Sequence, residues 1–325
     1  MVKCPAYAAV TGGANKLAAA SVNGRAGEEE CVCMDFIKYL ITGISLGSVY
    51  AIIALGYTMV YGIAKMLNFA HGDVIMVGGY MTFIFMNSLG MPAILAVLGA
   101  MVVCTVLGIV IERVAYKPLR EASSLAVLIT AIGVSYLLQN LALIIWGSTP
   151  KSFPSVVSID PIVLPGGITI SGETIVTVVV SALIMIGLTL FINKSKLGHA
   201  MQAVAEDKGA AQLMGINVNA TISITFAIGS ALAAVAGALL CSSYPLLQPT
   251  TGAMPGIRAF VAAVFGGIGS IPGAMLGGVL LGIIESLTKA YISTELSDAV
   301  VFAMLIVVLL VKPTGLLGKK ISEKV

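Results

Sequence analysis

Residues 198–217 read GHAMQAVAEDKGAAQLMGIN and form a polar segment in a chain that is otherwise strongly apolar. Two apolar runs flank it, at 174–192 and 222–240, and each approaches the length of about 20 residues that a helix needs to cross a bilayer. The centre of the segment carries small and charged residues: Ala205, Glu206, Asp207, Ala210, Ala211 and Gly215. The pattern predicts either an ordinary solvated loop or a short helix held at the membrane surface between two spans.

The composition of the whole chain decides its class. Hydrophobic residues make up 58% and charged residues 10%, and the mean hydropathy is +1.03. A soluble domain carries roughly 25% charged residues. Between Tyr39 and Ile111 the only formal charges are Lys65 and Asp73. These values predict an all-α fold, a polytopic helical membrane protein. The cations are spread over short loops, so nucleic acid is not expected as a partner.

Hydropathy places nine candidate spans, of which three are short or interrupted, so the expected count is eight or nine. They are about 36–60, 69–88, 92–113, 123–146, 173–193, 220–243, 257–269, 272–291 and 298–312. Interrupted helices are predicted near 62–73 and 257–273. Broken helices at membrane depth survive only where protein or a water-filled cavity surrounds them, so both places are predicted to border a pathway or the packed centre. The candidate residues are Asn68, His71, Gly72, Asp73, Gly267, Gly269 and Pro272.

Polar residues inside the spans are functional candidates, since each costs about 2.5–3.5 kcal/mol to insert into lipid. They are Asn68, His71, Asp73, Gln139, Asn140 and Glu285. Because Asn68 and Asp73 lie at a helix start, we expect their side chains to cap free N–H groups there. Gln139 and Asn140 are expected to hydrogen-bond a neighbouring helix. Paired small residues such as Gly43 and Gly47 predict close packing between helices.

The distribution of lysine and arginine predicts the orientation of the chain. Cations cluster in 112–121, in 194–219 and in the tail after 311, whereas 147–172 carries only Lys151. The three cationic segments are therefore predicted to be cytoplasmic, with the C-terminus on that side. Residues 1–33 lack an apolar run and are predicted to be a disordered extension or the product of a start codon assigned too early. The spanning domain is then 34–325, with the polar segment 198–217 on its cytoplasmic face.

The sequence shows no catalytic, metal or cofactor site. A G-x-x-x-x-G-K-[ST] phosphate loop is absent, because position 313 is Pro where the first glycine should stand before Gly318-Lys319. No nucleophile–base or zinc pattern occurs, and no chain of charged residues runs through the spans. We therefore expect a transport subunit that is not itself an enzyme. If its transport is driven by ATP, the energy enters from another subunit.

Five separated motifs resemble those of one family of transport proteins. They are GYTMVYG at 56–62, NFAHG at 68–72, ERVAY at 112–116, AED at 205–207 with MGIN at 214–217, and GGIGSIPGA at 266–274. The chain from Met34 onward resembles the permease subunits of bacterial ABC importers for branched-chain amino acids, of the LivH type. Residues 1–33 match nothing in that family.

The resemblance implies an importer of the bacterial inner membrane that moves leucine, isoleucine or valine. Its partners would be a second related permease, two cytoplasmic ATP-binding subunits, a periplasmic substrate-binding protein and membrane lipid. Residues 205–215 would be the coupling helix that seats in an ATP-binding subunit, with Glu206, Ala210 and Gly215 at motif positions. Three alternatives stay open: a related importer for urea, amides or other amino acids, an ion-coupled carrier or channel that uses Asp73 or Glu285, and a membrane-embedded enzyme.

Overall fold

The computed structural model describes the backbone of residues 20–120, 122–157, 159–164 and 168–318, and the side chains of 35–120, 122–157, 159–163 and 169–318. Of the predicted extension 1–33, residues 1–19 lie outside this part and 20–33 are described as helical backbone alone. The interpretation of the extension therefore stays a prediction.

The described chain is helical almost throughout, which confirms the predicted all-α fold. Its α-helices are α1 (Ala20–Ala64), α2 (His71–Asn87), α3 (Ala93–Ile111), α4 (Ser124–Trp146), α5 (Gly172–Lys194), α6 (Lys196–Glu206), α7 (Lys208–Leu213), α8 (Val218–Ser243), α9 (Ala253–Gly266), α10 (Ile271–Tyr291) and α11 (Ser297–Val311). A π-helical turn, Glu112–Tyr116, and a 3-10 turn, Lys117–Leu119, extend α3. Two antiparallel strand pairs lie outside the helices: β1 (Lys151–Ser152) with β4 (Leu246–Leu247), and β2 (Ile162–Leu164) with β3 (Ile168–Ile170).

Six described helices are long and apolar enough to cross a membrane: α1 from Asp35, α3 with its two turns, α4, α5, α8 and α10. α9 and α11 are apolar but shorter, and α2 has 17 residues. The chain is thus a multi-pass membrane protein, while the predicted count of eight or nine spans stays a prediction. α1 and α8 are mostly buried, whereas α4 lies at the periphery and exposes large apolar residues such as Ile144.

α1 packs closely against α10 through glycines of both helices. A Cβ added at Gly47 would lie 2.7 Å from the Cα of Val279, and one at Gly43 would lie 2.8 Å from the Cα of Ile283. On α10, a Cβ at Gly278 would lie 2.5 Å from the amide nitrogen of Ala51. Such distances exclude any side chain, so the backbones touch. The predicted role of Gly43 and Gly47 in close helix packing is confirmed.

Candidate functional site

The two predicted interruptions are present, and they lie against each other. The first separates α1 from α2 at residues 65–70, and the second separates α9 from α10 at 267–270. A Cβ added at Gly62, just before the first break, would lie 3.3 Å from the Cα of Gly269 in the second. Gly267 and Gly269 have φ angles of 111° and 93°, which residues with a side chain rarely adopt. The end of α1, just before the first break, therefore lies against the second break.

The C-terminal segment of the described chain hydrogen-bonds to the backbone just before the second break. The backbone N–H of Leu316 donates to Phe265 O at 3.0 Å, and that of Leu317 donates to Gly266 O at 2.9 Å. These bonds satisfy carbonyls that the end of α9 leaves without a helical partner. α10 then begins with Ser270 as its cap, whose Oγ accepts from the N–H of Gly273 at 3.3 Å, and Pro272 occupies the first turn.

The polar side chains at the first break bond to distant helices, and the capping expected for Asn68 is wrong. The residue at the cap position is Ala70, which has no side-chain acceptor. Asn68 Oδ1 instead accepts from the hydroxyl of Tyr116 at 2.8 Å. Asp73 Oδ1 accepts from the amide of Gln139 on α4 at 2.9 Å, as was predicted for the glutamine. Both side chains hold the start of α2 to the surrounding helices.

His71 lies in an aromatic cluster beside the first break. Its ring is 1% exposed and lies 4.8 Å from the ring of Tyr57, in an edge-on arrangement. Tyr57 and Phe69 pack on Phe260 of α9, with ring centroids 5.8 and 5.4 Å apart. Among the described side chains, none hydrogen-bonds His71 Nε2. The cluster joins α1, the first break and α9.

The start of α2 lies close to the start of α9 as well as to its middle. A Cβ added at Gly72 would lie 2.7 Å from the carbonyl oxygen of Gly252, so this predicted site residue is at a backbone contact. A Cβ at Gly256 would lie 2.8 Å from the Cα of Gly72. Gly72 thus lies against the start of α9, whereas Gly269 lies near Gly62. The part of these residues in a pathway stays a prediction.

The polar segment 198–217 folds as two short helices, α6 and α7, each with a side-chain cap. The hydroxyl of Ser195 accepts from the N–H of Gly198 at 2.9 Å, which fixes the start of α6. Asp207 ends α6 and caps α7, accepting from the N–H groups of Gly209 and Ala210 at 2.8 and 3.0 Å. Asn217 Oδ1 caps α8 by accepting from Ala220 at 3.1 Å. Predicted residue Asp207 is therefore a structural cap in this chain.

One face of the α6–α7 segment (196–213) is anchored to the protein and the other is exposed. Met201, Val204 and Ala211 are buried, and Ala205 is half-buried. Glu206 and Ala210 are exposed, as is the end of α7, where Leu213 is 90% and Met214 is 82% exposed. Large apolar side chains so fully exposed at a protein surface mark contacts with membranes or other proteins.

Gly215 ends this segment in a conformation that favours glycine. Its φ is 82°, and a Cβ added there would have no heavy atom within 4 Å. The glycine is favoured here because of this φ, since the surrounding space is open and would not itself exclude a side chain. Its role as a close contact with another subunit stays a prediction.

Lys208 links the α6–α7 segment to the first break. Its Nζ donates to the backbone carbonyl of Ala64, the last residue of α1, at 3.0 Å. A cation at the carbonyl end of a helix is favourable because that end carries partial negative charge. Partial desolvation, with the nearby charges of Arg120 and Lys65, lowers the pKa of Lys208. The α6–α7 segment and the end of α1 thus share one direct hydrogen bond.

Glu112 forms a second polar cluster beside this segment. The carboxylate is fully buried and pairs with Arg120, which also donates to Asn219 at the start of α8. The hydroxyl of Ser223 donates to the other oxygen of Glu112 at 2.6 Å. The interactions join the turn after α3 to the start of α8.

Glu285 is the centre of a third cluster, about 21 Å along α10 from its start near the second break. The buried carboxylate accepts from Arg258 at 2.8 Å, from Lys289 at 2.5 Å and from the hydroxyl of Tyr50 at 2.9 Å. Arg258 also pairs with Asp298 at 2.6 Å. Two carboxylates and two cations balance one another, which is the usual way that charge is tolerated among membrane helices.

Comparison with known proteins gives a consistent result along almost the whole chain. The family model for the branched-chain amino acid transport system permease component matches residues 39–309. The high-affinity branched-chain amino acid transport system permease protein LivH of Escherichia coli (strain K12) is 47% identical over 301 residues, which cover 89% of this chain and 98% of that protein. The chain belongs to this permease family.

Two other members of the family are similar over comparable lengths. BraD of Pseudomonas aeruginosa, a high-affinity branched-chain amino acid permease protein, is 46% identical and aligns with 89% of this chain and 98% of its own. The probable branched-chain amino acid transport permease protein LivH of Methanocaldococcus jannaschii is 32% identical, and the alignment covers 86% of this chain and 92% of that protein. The resemblance found in the sequence motifs is confirmed, as is the prediction of a transport subunit and not an enzyme.

The sequence of the permease did not reveal two features of the site. The exposure of Leu213 and Met214 was not predicted, because an apolar residue in an apolar chain gives no sign of whether it is buried. The partners of Glu285 were not predicted either, since Tyr50 lies 235 residues away in sequence. The single arginine within a long stretch of low charge, Arg258, was the available signal for that cluster.

Proposed function

We propose that the chain is the membrane-spanning permease subunit of an ATP-driven importer that moves leucine, isoleucine and valine across the inner membrane of a bacterium. The observation that carries this proposal is 47% identity to high-affinity branched-chain amino acid permeases along 98% of their length. Importers of the same class that carry urea, amides or other amino acids remain the alternatives.

We further propose the partners of such an importer: a second related permease, two cytoplasmic ATP-binding subunits and a periplasmic substrate-binding protein, all around a lipid-embedded core. The exposed end of α7 supports the ATP-binding subunits as partners. It offers apolar side chains at Leu213 and Met214 beside the small residue Ala210 and the charge of Glu206. Apolar anchors surrounded by polar residues are typical of protein interfaces.

The orientation follows from the cationic segments. The α6–α7 segment, the turn with Arg113 and Lys117, and the C-terminal segment carry most of the lysine and arginine of the loops, which supports a cytoplasmic position for all three. Lys208 and Arg120 lie close enough for their charges to interact, so two of these segments share one side of the protein.

The proposed mechanism transmits movement from α7 to the two breaks. Closure of the ATP-binding subunits would shift α7, and the bond from Lys208 to Ala64 would carry that shift to the end of α1. Because Gly62 lies against Gly269, the second break would follow. ATP would then change the populations of inward-open and outward-open states through its different affinity for the two.

An ion-coupled carrier is less well supported. Asp73 accepts a hydrogen bond from Gln139, and Glu285 is paired with Arg258 and Lys289. A coupling ion would have to displace these partners.

Co-purification tests the proposal most broadly. A tagged chain expressed at its natural level should retain an ATP-binding subunit and a second permease, and the assembly should hydrolyse ATP faster when binding protein loaded with leucine is added. Stimulation by urea or amides but not by leucine would move the substrate to the alternative. A tagged chain that retains no ATP-binding subunit and transports on its own would overturn the proposal.

A further inference from the structure

A cavity of about 480 Å³ opens between α3, the turn that follows it and the first half of α8. It lies on the same side of the protein as the α6–α7 segment, because Asn217 and Asn219, which directly follow that segment, line it. Neither the relatives nor the proposed transport cycle gives this cavity a role.

The lining changes from polar to apolar along both helices. Arg113, Lys117 and Asn219 line the end nearer the loops, whereas Ile109, Ile224 and Ala227 line the part nearer the middle of the spans. Asn219 and Ala227 are separated by about 12 Å of helix. Next to Ile109, α3 exposes Val106 and Val110, which are 56% and 49% exposed. The apolar part of the cavity therefore opens toward the lipid-facing side of α3.

Two cations, Arg113 and Lys117, lie at the polar end of the cavity. Arg113 and Lys117 are exposed, and within the part of the chain whose side chains are described neither forms an ion pair or a side-chain hydrogen bond. Glu112, which precedes Arg113, is already neutralised by Arg120. Asn219 accepts from Arg120 through its oxygen, so its amide N–H groups remain as donors. The polar end thus presents a positive charge and further donors.

We propose that this cavity binds an anionic phospholipid, such as phosphatidylglycerol, from the leaflet on the side of the α6–α7 segment. The phosphate lies between Arg113 and Lys117 with Asn219 as an additional donor, and one acyl chain lies against Ile109, Ile224 and Ala227. Cations at the membrane surface attract anionic headgroups, and basic pockets between helices are typical sites for them. The apolar part of the cavity favours a lipid over a free phosphate ion, which would leave that part empty. The inference does not depend on which substrate is transported.

Native mass spectrometry of the purified full-length chain tests the proposal, with phosphatidylglycerol or phosphatidylethanolamine added in titration. The variant Arg113→Gln/Lys117→Gln should bind phosphatidylglycerol about thirtyfold more weakly, since each cation near an anionic surface contributes about five- to sixfold. Lys194→Gln/Lys196→Gln is the matched control, because it removes the same charge from the same side but leaves the cavity lining intact. This control should bind like the unaltered chain.

Ala227→Trp gives an independent test of the acyl-chain position. It fills the apolar part of the cavity without changing any charge, so it should also weaken binding of phosphatidylglycerol. An equal loss in the control charge variant, equal affinity for phosphatidylethanolamine, or displacement of the bound lipid by inorganic phosphate would overturn the proposal. So would a chain in which Arg113→Gln/Lys117→Gln keeps its lipid but no longer retains the ATP-binding subunit, because the cavity would then be a protein interface.

Discussion

The exposed residues at the end of α7 are proposed to contact an ATP-binding subunit. Leu213 and Met214 project from a helix whose other face is buried through Ala211, so they can be changed without altering the core. Gly215→Glu, in contrast, would strain a backbone with φ of 82° as well as add bulk, and its effect would have two causes. Ala210→Arg and Leu213→Glu change the exposed surface without straining the backbone, so their effects have a single cause.

Leu213→Glu is predicted to weaken binding of the ATP-binding subunit at least thirtyfold, because an apolar anchor at the centre of an interface typically contributes about 2 kcal/mol or more. Pull-down of the ATP-binding subunit and uptake of leucine measure the effect. Ala210→Arg should act in the same direction, and Glu206→Ala should be milder if the glutamate lies at the rim. Normal pull-down and normal uptake in Leu213→Glu would show that the α6–α7 segment is an ordinary solvated connection and does not dock the ATP-binding subunit.

Lys208→Gln is predicted to separate docking from transport. The amide is too short to hold the carbonyl of Ala64 as the lysine does, so the link between α7 and the first break is lost while the exposed tip of α7 is unchanged. Retention of the ATP-binding subunit should stay within about twofold of normal, and leucine uptake per ATP hydrolysed should fall several-fold. Lys196→Gln, which removes a nearby charge from α6, should leave that ratio unchanged. An unaltered ratio in Lys208→Gln would show that the bond transmits nothing.

Sequence reasoning at the residue scale succeeded for the polar segment and for the bond of Gln139 to another helix. It failed for the distant partners of Asn68 and Asp73. The pattern around 205–215 indicated a polar segment with small residues, and such a segment is present as α6 and α7. Asn68 and Asp73 were assigned to capping, since a helix start nearby offers free N–H groups. Their actual partners, Tyr116 and Gln139, come from distant parts of the chain that only the packing of helices brings close.

Most of the apolar helices were predictable to within a few residues, although α1 begins at Ala20 and not near 36, and α9 begins at Ala253 and not near 257. Spans expected at 123–146 and 173–193 are α4 (Ser124–Trp146) and α5 (Gly172–Lys194). Long apolar runs bounded by polar or glycine-rich turns leave little freedom in where a helix begins and ends. The contact between the two interruptions was not predictable, because no local signal shows that Gly62 and Gly269 approach each other.

Gly47→Val is predicted to destabilise the permease at the element scale. A Cβ at Gly47 would lie 2.7 Å from backbone atoms of Val279, so α1 and α10 must separate. Overpacking of this kind typically costs about 1–3 kcal/mol, and here the obstacle is rigid backbone. Thermal unfolding in detergent should show a clearly lower midpoint and a lower yield of folded protein.

Gly133→Val is the matched control for this change. A Cβ at Gly133 on the peripheral helix α4 would have no heavy atom within 4 Å, so the valine should be accommodated toward the lipid. Equal stability of the Gly47 and Gly133 variants would mean that α1 and α10 do not pack as closely as described.

At the scale of the whole molecule, the spanning domain is predicted to work without residues 1–33. The sequence changes abruptly at Met34 from an Ala- and Gly-rich stretch to a spanning one, and the family match begins at residue 39. A chain that starts at Met34 should insert into the membrane and support leucine uptake at a normal rate. Loss of insertion or uptake on this deletion would show that the extension has a function of its own.

The central claim is that this permease moves branched-chain amino acids only when ATP-binding subunits drive it. Uptake of radiolabelled leucine into proteoliposomes tests it most directly, with the chain reconstituted either alone or with its second permease, ATP-binding subunits and binding protein. We expect ATP-dependent accumulation of leucine with the complete assembly, and neither flux nor ATP hydrolysis with the chain alone. Accumulation of leucine by the chain alone, driven by an ion gradient, would contradict it.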